Sequence, residues 1–459
     1  MFVPALALAT LPLASCGGRK PEPPPCAPDT RCLTVTPEGK VDPAGTSVAQ
    51  CTGVFPDYIV PAELFPPDYA GPWFALAQDF PPQPPPAQDL PWRKIDFKAG
   101  KAEADAYLYA LRDYSFEGMI EADFRPRQDT TRRWFHVPLM NYHHGRELVH
   151  GVTEERPLGD GELGLEPGVE VRNFAVGFYN EIGAYTIGQV LARPHDPDLS
   201  KARFGQGAMV FKILFSAARS EDFQDPDRDI LAGAPQWQIA AGDKDDATGA
   251  PRLTPVRLLQ MDVAVADDRA KPSGWVFGTF AFDRDATDEP AWKRLRPVGL
   301  MWGNDPGYTP GDQKAGKPLR ESIVSDQIPA YAAGHLGWAG RVNGPVDNPV
   351  SACMSCHQVA QYPVAADLGP FRDACDPDKK RLYWFRNLKA GEAFGAVDPH
   401  TCEPVTAKEQ PPVSLDLSLQ LASAVQSVKS YKNVNPCSPP PEPLQGMPVS
   451  PIEEPRIVR

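Results

Sequence analysis

The strongest chemical signal in the chain is a pair of cysteines followed directly by a histidine, in the segment Cys353–His357 (CMSCH). Two thiols three residues apart reach the two vinyl groups of a haem, and the adjacent imidazole is then placed beneath the iron. A disulfide loop or a thioredoxin-like redox pair has the same spacing, but the redox pair needs a strand and a helix N-terminus around it. The preceding residues 344–349 are rich in Gly and Pro and indicate a loop. The motif therefore predicts one covalently bound haem c, with Cys353 and Cys356 as thioethers and His357 as the proximal iron ligand.

The sixth coordination position of that iron decides what the haem could do. A His or Met there is typical of an electron carrier, whereas an open position permits ligand chemistry. The candidates are His335, His400, Met301 and an open site, since the only methionine after the motif is Met447 in a Pro-rich tail. The aromatic run at residues 383–386 is expected to pack against the haem edge, and ordinary core packing is the alternative.

The first sixteen residues indicate export and a lipid anchor. An apolar run from Phe2 to Leu13 is too short for a transmembrane helix and fits a signal peptide over residues 1–15. The run ends in Leu-Ala-Ser-Cys-Gly, which resembles a bacterial lipoprotein signal lipidated at Cys16, although no Lys or Arg precedes it. By the same resemblance, Gly17 implies the outer membrane with the protein facing the periplasm, and an ordinary secretory peptide is the alternative. No later stretch reaches the roughly 18 apolar residues that a membrane span needs.

Six cysteines remain once the lipid and haem positions are set aside. An even number in an oxidising compartment predicts disulfides, although the sequence does not select among the pairings. Local pairs are the simplest expectation: one bridge within the N-terminal three, one between Cys375 and Cys402, and a last one from the remaining N-terminal cysteine to Cys437. A structural zinc site would need a second closely spaced cysteine pair. The candidates are Cys26, Cys32, Cys51, Cys375, Cys402 and Cys437.

Composition narrows the choice of partners. The 459 residues carry 46 Lys and Arg against 59 Asp and Glu, a formal net charge of −13. Such a surface repels nucleic acid, and a redox partner is expected to be basic at its docking face. Residues 311–318 match most of a nucleotide-binding P-loop, but Pro318 stands where a Ser or Thr hydroxyl must bind magnesium. The segment is interpreted as a Gly-rich surface loop, and no nucleotide is expected.

Proline content and apolar patterning divide the chain into segments. Residues 17–92 contain 18 prolines, which is typical of an extended tether rather than a core. The expected organisation is a signal peptide (1–15), a Pro-rich tether and extended wrap (16–92), a β-rich core domain (93–334), a haem c segment with a C-terminal helix (335–435) and a Pro-rich tail (436–459).

Hydrophobic spacing positions the elements of the core. It predicts a helix over 100–117, a loop-rich region with short helical pieces over 335–400, and a helix over 414–431. Six short apolar runs bounded by Gly, Pro and Asp predict strands at 170–179, 184–192, 208–217, 256–266, 275–282 and 297–302. Strands at this spacing predict a mainly β fold with flanking helices, built as an antiparallel sandwich or barrel.

Four of the eight histidines, His136, His143, His144 and His150, fall within fifteen residues. One interpretation is a pocket or a second metal site. The favoured interpretation is a packed structural surface, because His143 and His144 would face opposite ways on a strand and aromatic and Arg residues surround the group.

The lipoprotein signal together with a single CxxCH resembles a class of bacterial monohaem c-type cytochrome lipoproteins. That resemblance implies electron transfer to or from a periplasmic or outer-membrane redox partner. A β-rich domain followed by a late CxxCH also resembles the lysine-crosslinked haem c enzymes that oxidise hydroxylamine, in which a strand lysine bonds the porphyrin. Lys212 occupies the matching place, and this second resemblance implies a haem oxidoreductase with an open distal site for hydroxylamine, a peroxide or a nitrogen oxide. A structural or haem-based sensing lipoprotein is the third alternative.

Overall fold

A computed structural model describes residues 34–35, 41–42, 69–138, 146–159, 161–193, 196–242, 251–376, 378–407 and 410–430. The expected signal peptide, the lipidation site Cys16 and the Pro-rich tail lie outside these residues. Within the described part of the chain, no helix is long and apolar enough to cross a membrane.

The strands of the described residues are mostly short, and the two longest, at residues 251–266 and 171–180, belong to the main sheet. They are β1 (Thr34–Val35), β2 (Val41–Asp42), β3 (Trp134–His136), β4 (Thr153–Leu158), β5 (Val171–Asn180), β6 (Met209–Ser216), β7 (Gln236–Gly242), β8 (Pro251–Ala266), β9 (Trp275–Phe282), β10 (Leu295–Met301), β11 (Ser322–Val324), β12 (Gln361–Tyr362), β13 (Ala396–Val397), β14 (Pro404–Val405) and β15 (Val413–Ser414).

The α-helices flank these strands, and the longest, α1, lies between β2 and β3 in the chain. They are α1 (Lys101–Phe116), α2 (Glu181–Val190), α3 (Pro310–Lys314), α4 (Ala330–Ala333), α5 (Cys353–His357), α6 (Asp378–Arg381) and α7 (Leu419–Ser430). Helices α1 and α7 confirm the two helices predicted from apolar spacing.

Nine strands form one antiparallel sheet in the order β11-β10-β9-β8-β6-β5-β3, with β4 also pairing β5 and β7 also pairing β8. The mainly β fold with flanking helices is confirmed. The expected barrel is wrong, because the sheet stays open and ends in the three-residue strands β3 and β11. The other pairings among the described residues, β1 with β2, β12 with β15 and β13 with β14, are two-residue ribbons. Helices and loops therefore cover the sheet where a sandwich would place a second large sheet.

The run 184–192, predicted as a strand, lies mostly in helix α2 instead. Asn180 ends β5 and caps the helix, since its Oδ1 accepts a hydrogen bond from the Gly183 backbone N at 3.0 Å. The helix buries one face through residues spaced three apart: Ala184, Ile187 and Val190. The cap and this buried face outweigh the strand preference of the β-branched residues in the run.

The strand register sorts the side chains of the sheet into two faces. The face beneath α1, here the α1 face, is apolar and rich in aromatic rings. Its central members are Phe174, Val176, Phe178, Phe211, Ile213, Phe215, Met261, Val263, Val265, Val276, Phe280 and Phe282. Gly278 lets α1 approach closely, because a Cβ there would lie 2.3 Å from Cδ2 of Leu108. The α1 face therefore forms a dense hydrophobic core.

The opposite face, here the motif face, is covered by α2 and by loops and short helices from the C-terminal half of the chain. Its apolar members include Val210, Ala264, Phe277 and Met301, which share one buried cluster with Met354 of α5. This face positions the cysteine–histidine motif against the sheet.

Candidate functional site

The cysteine–histidine motif forms α5, a single helical turn on the motif face. Cys353 and Cys356 are three residues apart, which places their side chains on the same side of a helix. Both thiols are free and half-buried. The turn is fixed at its start, because the Cys353 backbone N donates to the Val342 carbonyl at 3.2 Å and the Ala352 backbone N donates to Ser355 Oγ at 2.8 Å. The structure therefore presents two neighbouring thiols rather than a disulfide.

The His357 imidazole is held in one tautomer by the chain just before α7. Its Nδ1 lies 3.0 Å from the Leu417 carbonyl oxygen. A carbonyl oxygen only accepts, so Nδ1 carries the proton and Nε2 keeps its lone pair. Burial lowers the pKa of His357 to about 4. The hydrogen bond to Leu417 opposes this decrease, and the positive charge of Lys212 adds to it. A neutral imidazole with a free Nε2 is the form that binds a metal.

The carbonyl that orients His357 belongs to an unusual stretch of backbone. Asp416 and Leu417 have left-handed φ values of 52° and 62°, which cost non-glycine residues about 1–2 kcal/mol each. The Asp416 carboxylate is fixed by the Phe204 backbone N at 2.9 Å and by Arg203 Nη1 at 3.2 Å. A strained backbone conformation is kept only where many surrounding contacts hold it in place. Here it aims the Leu417 carbonyl at His357.

Phe277 connects the motif to the sheet. Its ring centroid lies 4.7 Å from that of His357. Its cross-strand partner on β10 is Met301, so both side chains point to the motif face.

A row of polar side chains crosses the motif face beside this contact. Lys212 on β6 and Asp262 on β8 are directly paired, and Thr279 on β9 is paired with Asp262 in turn. Lys212 Nζ lies 3.9 Å from Asp262 Oδ2 and 3.8 Å from Oε2 of Glu155 on β4. Thr279 Oγ1 donates to Asp262 Oδ1 at 2.6 Å. The row is thus a connected network of one ammonium, two carboxylates and a hydroxyl.

Gln260 joins the row to the loop that leads into the motif. Its Nε2 donates to the two oxygens of Asp262 at 2.8 and 3.0 Å and to Asp347 Oδ2 at 3.2 Å. Its Oε1 accepts from the Val346 backbone N at 3.1 Å. The ionisable groups of this network are here called the polar cluster, defined as Glu155, Lys212, Asp262 and Asp347.

Burial dominates the electrostatics of the polar cluster. It raises the pKa of Asp262 to about 7, with Asp347 adding to the increase and Lys212 opposing it. Burial also raises the pKa of Glu155. For Lys212, burial disfavours the charge, but the three carboxylates outweigh that effect and raise its pKa. One ammonium cannot neutralise three carboxylates, so one carboxylate is poised to hold a proton near neutral pH.

The polar cluster reaches the motif electrostatically. Burial raises the pKa of Cys356 to about 12, with Asp347 acting in the same direction and Lys212 against it. Burial also raises the pKa of Cys353, as do Asp347 and Asp262. A thiol–disulfide redox pair needs a thiol whose pKa is lowered. The surroundings of this pair are of the opposite kind, which weighs against the thioredoxin-like alternative.

The three distal-ligand candidates occupy different parts of the fold. Met301 is fully buried in the apolar cluster that contains the motif. His335 is half-buried after α4, and burial lowers its pKa. His400 is exposed between β13 and β14. Of the three, Met301 shares a packed cluster with α5.

The aromatic run 383–386 packs beside the motif. Trp384 and Phe385 are buried in the same cluster as α5, and Phe385 stacks on Trp338 with ring centroids 4.7 Å apart. Gln358, directly after the motif, donates from Nε2 to the Trp384 carbonyl. The run therefore forms part of the core that supports α5.

The described histidines of the N-terminal group are held by a hydrogen bond and by ring stacking. His136 is buried on β3, and its Nδ1 accepts from the Ala77 backbone N at 3.0 Å. His150 stacks on Trp237 at 3.9 Å, and burial lowers its pKa to about 3. Among the described residues, no group of three or more His, Cys, Asp or Glu side chains could hold a metal ion. His143 and His144 lie outside the described residues.

Cys375 and Cys402 form a disulfide with a Cα–Cα distance of 5.1 Å, the local pairing expected from the sequence. Both cysteines are buried in the cluster that packs around α5. The other disulfide candidates, Cys26, Cys32, Cys51 and Cys437, lie outside the described residues.

A haem c fits the donor set on this face. A porphyrin supplies four donors to its iron, so a single protein imidazole can complete the proximal side. His357 Nε2 would bind the iron, and the free thiols of Cys353 and Cys356 would form the thioethers.

The polar cluster was missed by sequence reasoning, except for Lys212. Gln260 and Asp262 alternate with apolar residues on β8, which is typical of a strand with one side in water. The sequence pattern that could have revealed it is that of β9, whose residues are apolar on both faces. Such a strand lies in the centre of a sheet with both faces covered. A polar residue on the strand beside it is then expected to be buried.

Comparisons with models of protein families, with curated proteins and with solved structures found no match to this chain, so the geometry of the site carries the functional argument.

Proposed function

We propose that the protein is a lipid-anchored monohaem c-type cytochrome that transfers electrons to or from a periplasmic or outer-membrane redox partner. The observation that carries the proposal is the motif geometry: two free neighbouring thiols and an imidazole whose Nδ1 is held by the Leu417 carbonyl. That contact supports iron binding through Nε2.

A bound haem supplies one-electron chemistry between ferric and ferrous iron. The residues of the chain contribute position and environment. The Leu417 carbonyl fixes the orientation of His357 and raises the basicity of its free nitrogen. Phe277 and the apolar cluster around Met354 shield the proximal side from water. A fixed ligand in a dry surrounding changes little between oxidation states, which suits electron transfer.

The partner proposed for this reaction is basic at its docking face. The chain carries a formal net charge of −13, and opposite charge speeds diffusional encounter. Association would weaken as salt screens these charges over ~10 Å at 0.1 M ionic strength.

A second candidate function is a haem oxidoreductase with an open distal site for hydroxylamine, a peroxide or a nitrogen oxide. One observation favours it: Lys212 lies on a central strand of the motif face, close enough to affect the pKa values of Cys356 and His357. In the lysine-crosslinked haem c enzymes that the sequence resembles, a strand lysine bonds the porphyrin, and Lys212 would be the matching residue.

Optical spectra of the purified oxidised and reduced protein separate the two functions. An electron carrier gives a six-coordinate low-spin spectrum, and its ferrous form does not bind carbon monoxide. A five-coordinate spectrum with rapid carbon monoxide binding would transfer the proposal to the oxidoreductase. Lys212→Ala would then alter the haem spectrum. The control is Lys293→Ala, in the turn before β10, because the Lys293 carbonyl accepts from Arg112 of α1 and so lies on the α1 side of the sheet; this variant would leave the spectrum unchanged.

The lipid anchor is tested separately by Cys16→Ser. We expect this variant to move from the membrane fraction to the soluble periplasmic fraction. A variant that still sediments with outer membranes would contradict lipidation at Cys16 as the source of attachment.

A further inference from the structure

The polar cluster is an unbalanced group of charges inside the protein. Lys212 is the single cation, and Glu155, Asp262 and Asp347 are the anions. The side chains of Lys212, Glu155 and Asp262 keep 17%, 22% and 24% of their surface accessible, although burial is the first influence on the pKa of each. These three side chains are therefore largely buried but remain in part accessible to solvent.

The cluster faces the motif from several elements. Asp347 precedes α5, is half-buried, and affects the pKa values of all three motif side chains. The charged, titratable and hydrogen-bonding groups around Asp262 are Lys212 of β6, Gln260 of β8, Thr279 of β9, Asp347 of the preceding loop and Cys353 of α5. Glu155 of β4 joins the group through Lys212, and Lys212 and Asp347 influence Cys356 and His357 of α5. In the described residues, no hydrogen bond or ion pair joins the cluster to His357.

We propose that the polar cluster binds and releases a proton in step with the oxidation state of a haem held at Cys353–His357, so that electron transfer by this protein is coupled to proton transfer. The inference rests on the proposed function. It deepens that function by assigning an exchangeable proton to a named group of carboxylates.

The physical reason is charge compensation. Ferric iron carries one more positive charge than ferrous iron, and a nearby positive charge favours an ionised carboxylate. On reduction, one electron from the redox partner converts ferric to ferrous iron, and one proton from water converts a cluster carboxylate to a carboxylic acid. Oxidation returns the electron to a partner and the proton to water, so charge and atoms balance in both directions.

The hydrogen bonds make Asp262 the best site for this proton. Its oxygens accept from Thr279 and Gln260, and Gln260 also ties it to Asp347, whose own negative charge disfavours a second anion. Lys212 pairs with Glu155 as well as with Asp262, and its single positive charge cannot neutralise both carboxylates. The half-buried Asp347 brings the cluster to the solvent boundary, where protons enter.

The test is the midpoint potential of the haem measured by spectroelectrochemical titration between about pH 5 and about pH 9. We expect the potential to fall as pH rises, by up to about 59 mV for each tenfold change in proton activity. Asp262→Asn should flatten this dependence. The matched control is Asp285→Asn, whose side chain is 90% exposed on the surface, and it should keep the dependence of the unmodified protein.

The outcomes separate the inference from the proposed function. A protein with covalent haem whose potential is independent of pH, or whose pH dependence survives in both Asp262→Asn and Asp347→Asn, overturns the inference alone. A protein without haem overturns the proposed function. If Asp262→Asn does not fold, a pH indicator dye is used to follow proton exchange by the unmodified protein. We expect a proton to be taken up on reduction and released on reoxidation. The absence of this exchange overturns the inference.

Discussion

The two faces of the nine-stranded sheet use the same strands in opposite ways. On the α1 face, Phe211 of β6 is fully buried, with its ring 4.9 Å from Trp134 and 5.1 Å from Phe178. On the motif face, the next residue of the same strand is Lys212, with carboxylate oxygens of Glu155 and Asp262 at 3.8 and 3.9 Å. One face is a dry aromatic core, and the other holds an unbalanced group of charges.

The difference between the two faces indicates which of them stabilises the fold and which is available for chemistry. Buried aromatic side chains stabilise a fold by roughly 1.5–3 kcal/mol each. Buried charges that are not fully paired destabilise it, and perturbed ionisable groups concentrate where proteins do chemistry. We infer that the α1 face holds the sheet together, whereas the motif face tolerates a cost in stability for its function.

The largest expected effect comes from the α1 face. Phe211→Ala should reduce the free energy of unfolding by about 3–5 kcal/mol, because it leaves a cavity among packed rings. Chemical denaturation followed by tryptophan fluorescence measures this loss. A reduction below about 1 kcal/mol would contradict the assignment of stability to this face.

The covering of the motif face should depend on its cross-link. Removing the bridge with Cys375→Ser and Cys402→Ser should cost about 2–4 kcal/mol, because the bridge closes a loop with a sequence separation of 27 in a layer with little regular structure. Denaturation under non-reducing conditions checks it. Unchanged stability, with both cysteines open to thiol labelling in the unmodified protein, would contradict the bridge.

Because the polar cluster buries ionisable carboxyl groups, we expect the free energy of unfolding to depend on pH. Burial raises the pKa of Asp262 to about 7, so the folded protein binds this proton more tightly than the unfolded chain. The contribution of this proton to the free energy of unfolding is greatest below about pH 4, where the carboxyl group is protonated in both the folded and the unfolded chain. It is lost as pH rises through about 7, where the folded protein also releases the proton. In the haem-free double variant Cys353→Ala, Cys356→Ala, adding Asp262→Asn should raise the free energy of unfolding on the order of 2 kcal/mol near pH 8.

The same comparison at about pH 4 provides the control for that prediction. There Asp262 is protonated in the folded protein, and the substitution should change stability little. Asp285→Asn should have little effect at either pH, since its side chain is exposed. If Asp262→Asn instead lowers the free energy of unfolding relative to its parent variant near pH 8, the ionised carboxylate stabilises the fold and the prediction is wrong.

The sequence predicted the parts of this arrangement that depend on nearby residues. The spacing within Cys353–His357, the apolar periodicity of α1 and the apolar run of β9 are all local patterns. The run 184–192 was misassigned because the cap from Asn180 and the packing of α2 override local strand preference.

The contacts that complete the site are distant in sequence. The Leu417 carbonyl reaches His357 across 60 residues, and nothing near either residue indicates the pairing. The Gln260–Asp347 hydrogen bond spans 87 residues. Alternation on β8 suggests that Asp262 faces water, and only the covering of the motif face by later parts of the chain buries it.

Covalent attachment of a haem at Cys353–His357 is the central claim, and its most direct test is the mass of the mature protein. The protein is expressed with a c-type haem maturation system, denatured, treated with a thiol-alkylating reagent and analysed by mass spectrometry. We predict one haem per chain that resists denaturation, attached to the peptide with Cys353 and Cys356, and no haem on the double alanine variant. A folded, exported protein in which both thiols are alkylated and no haem is attached would contradict the account.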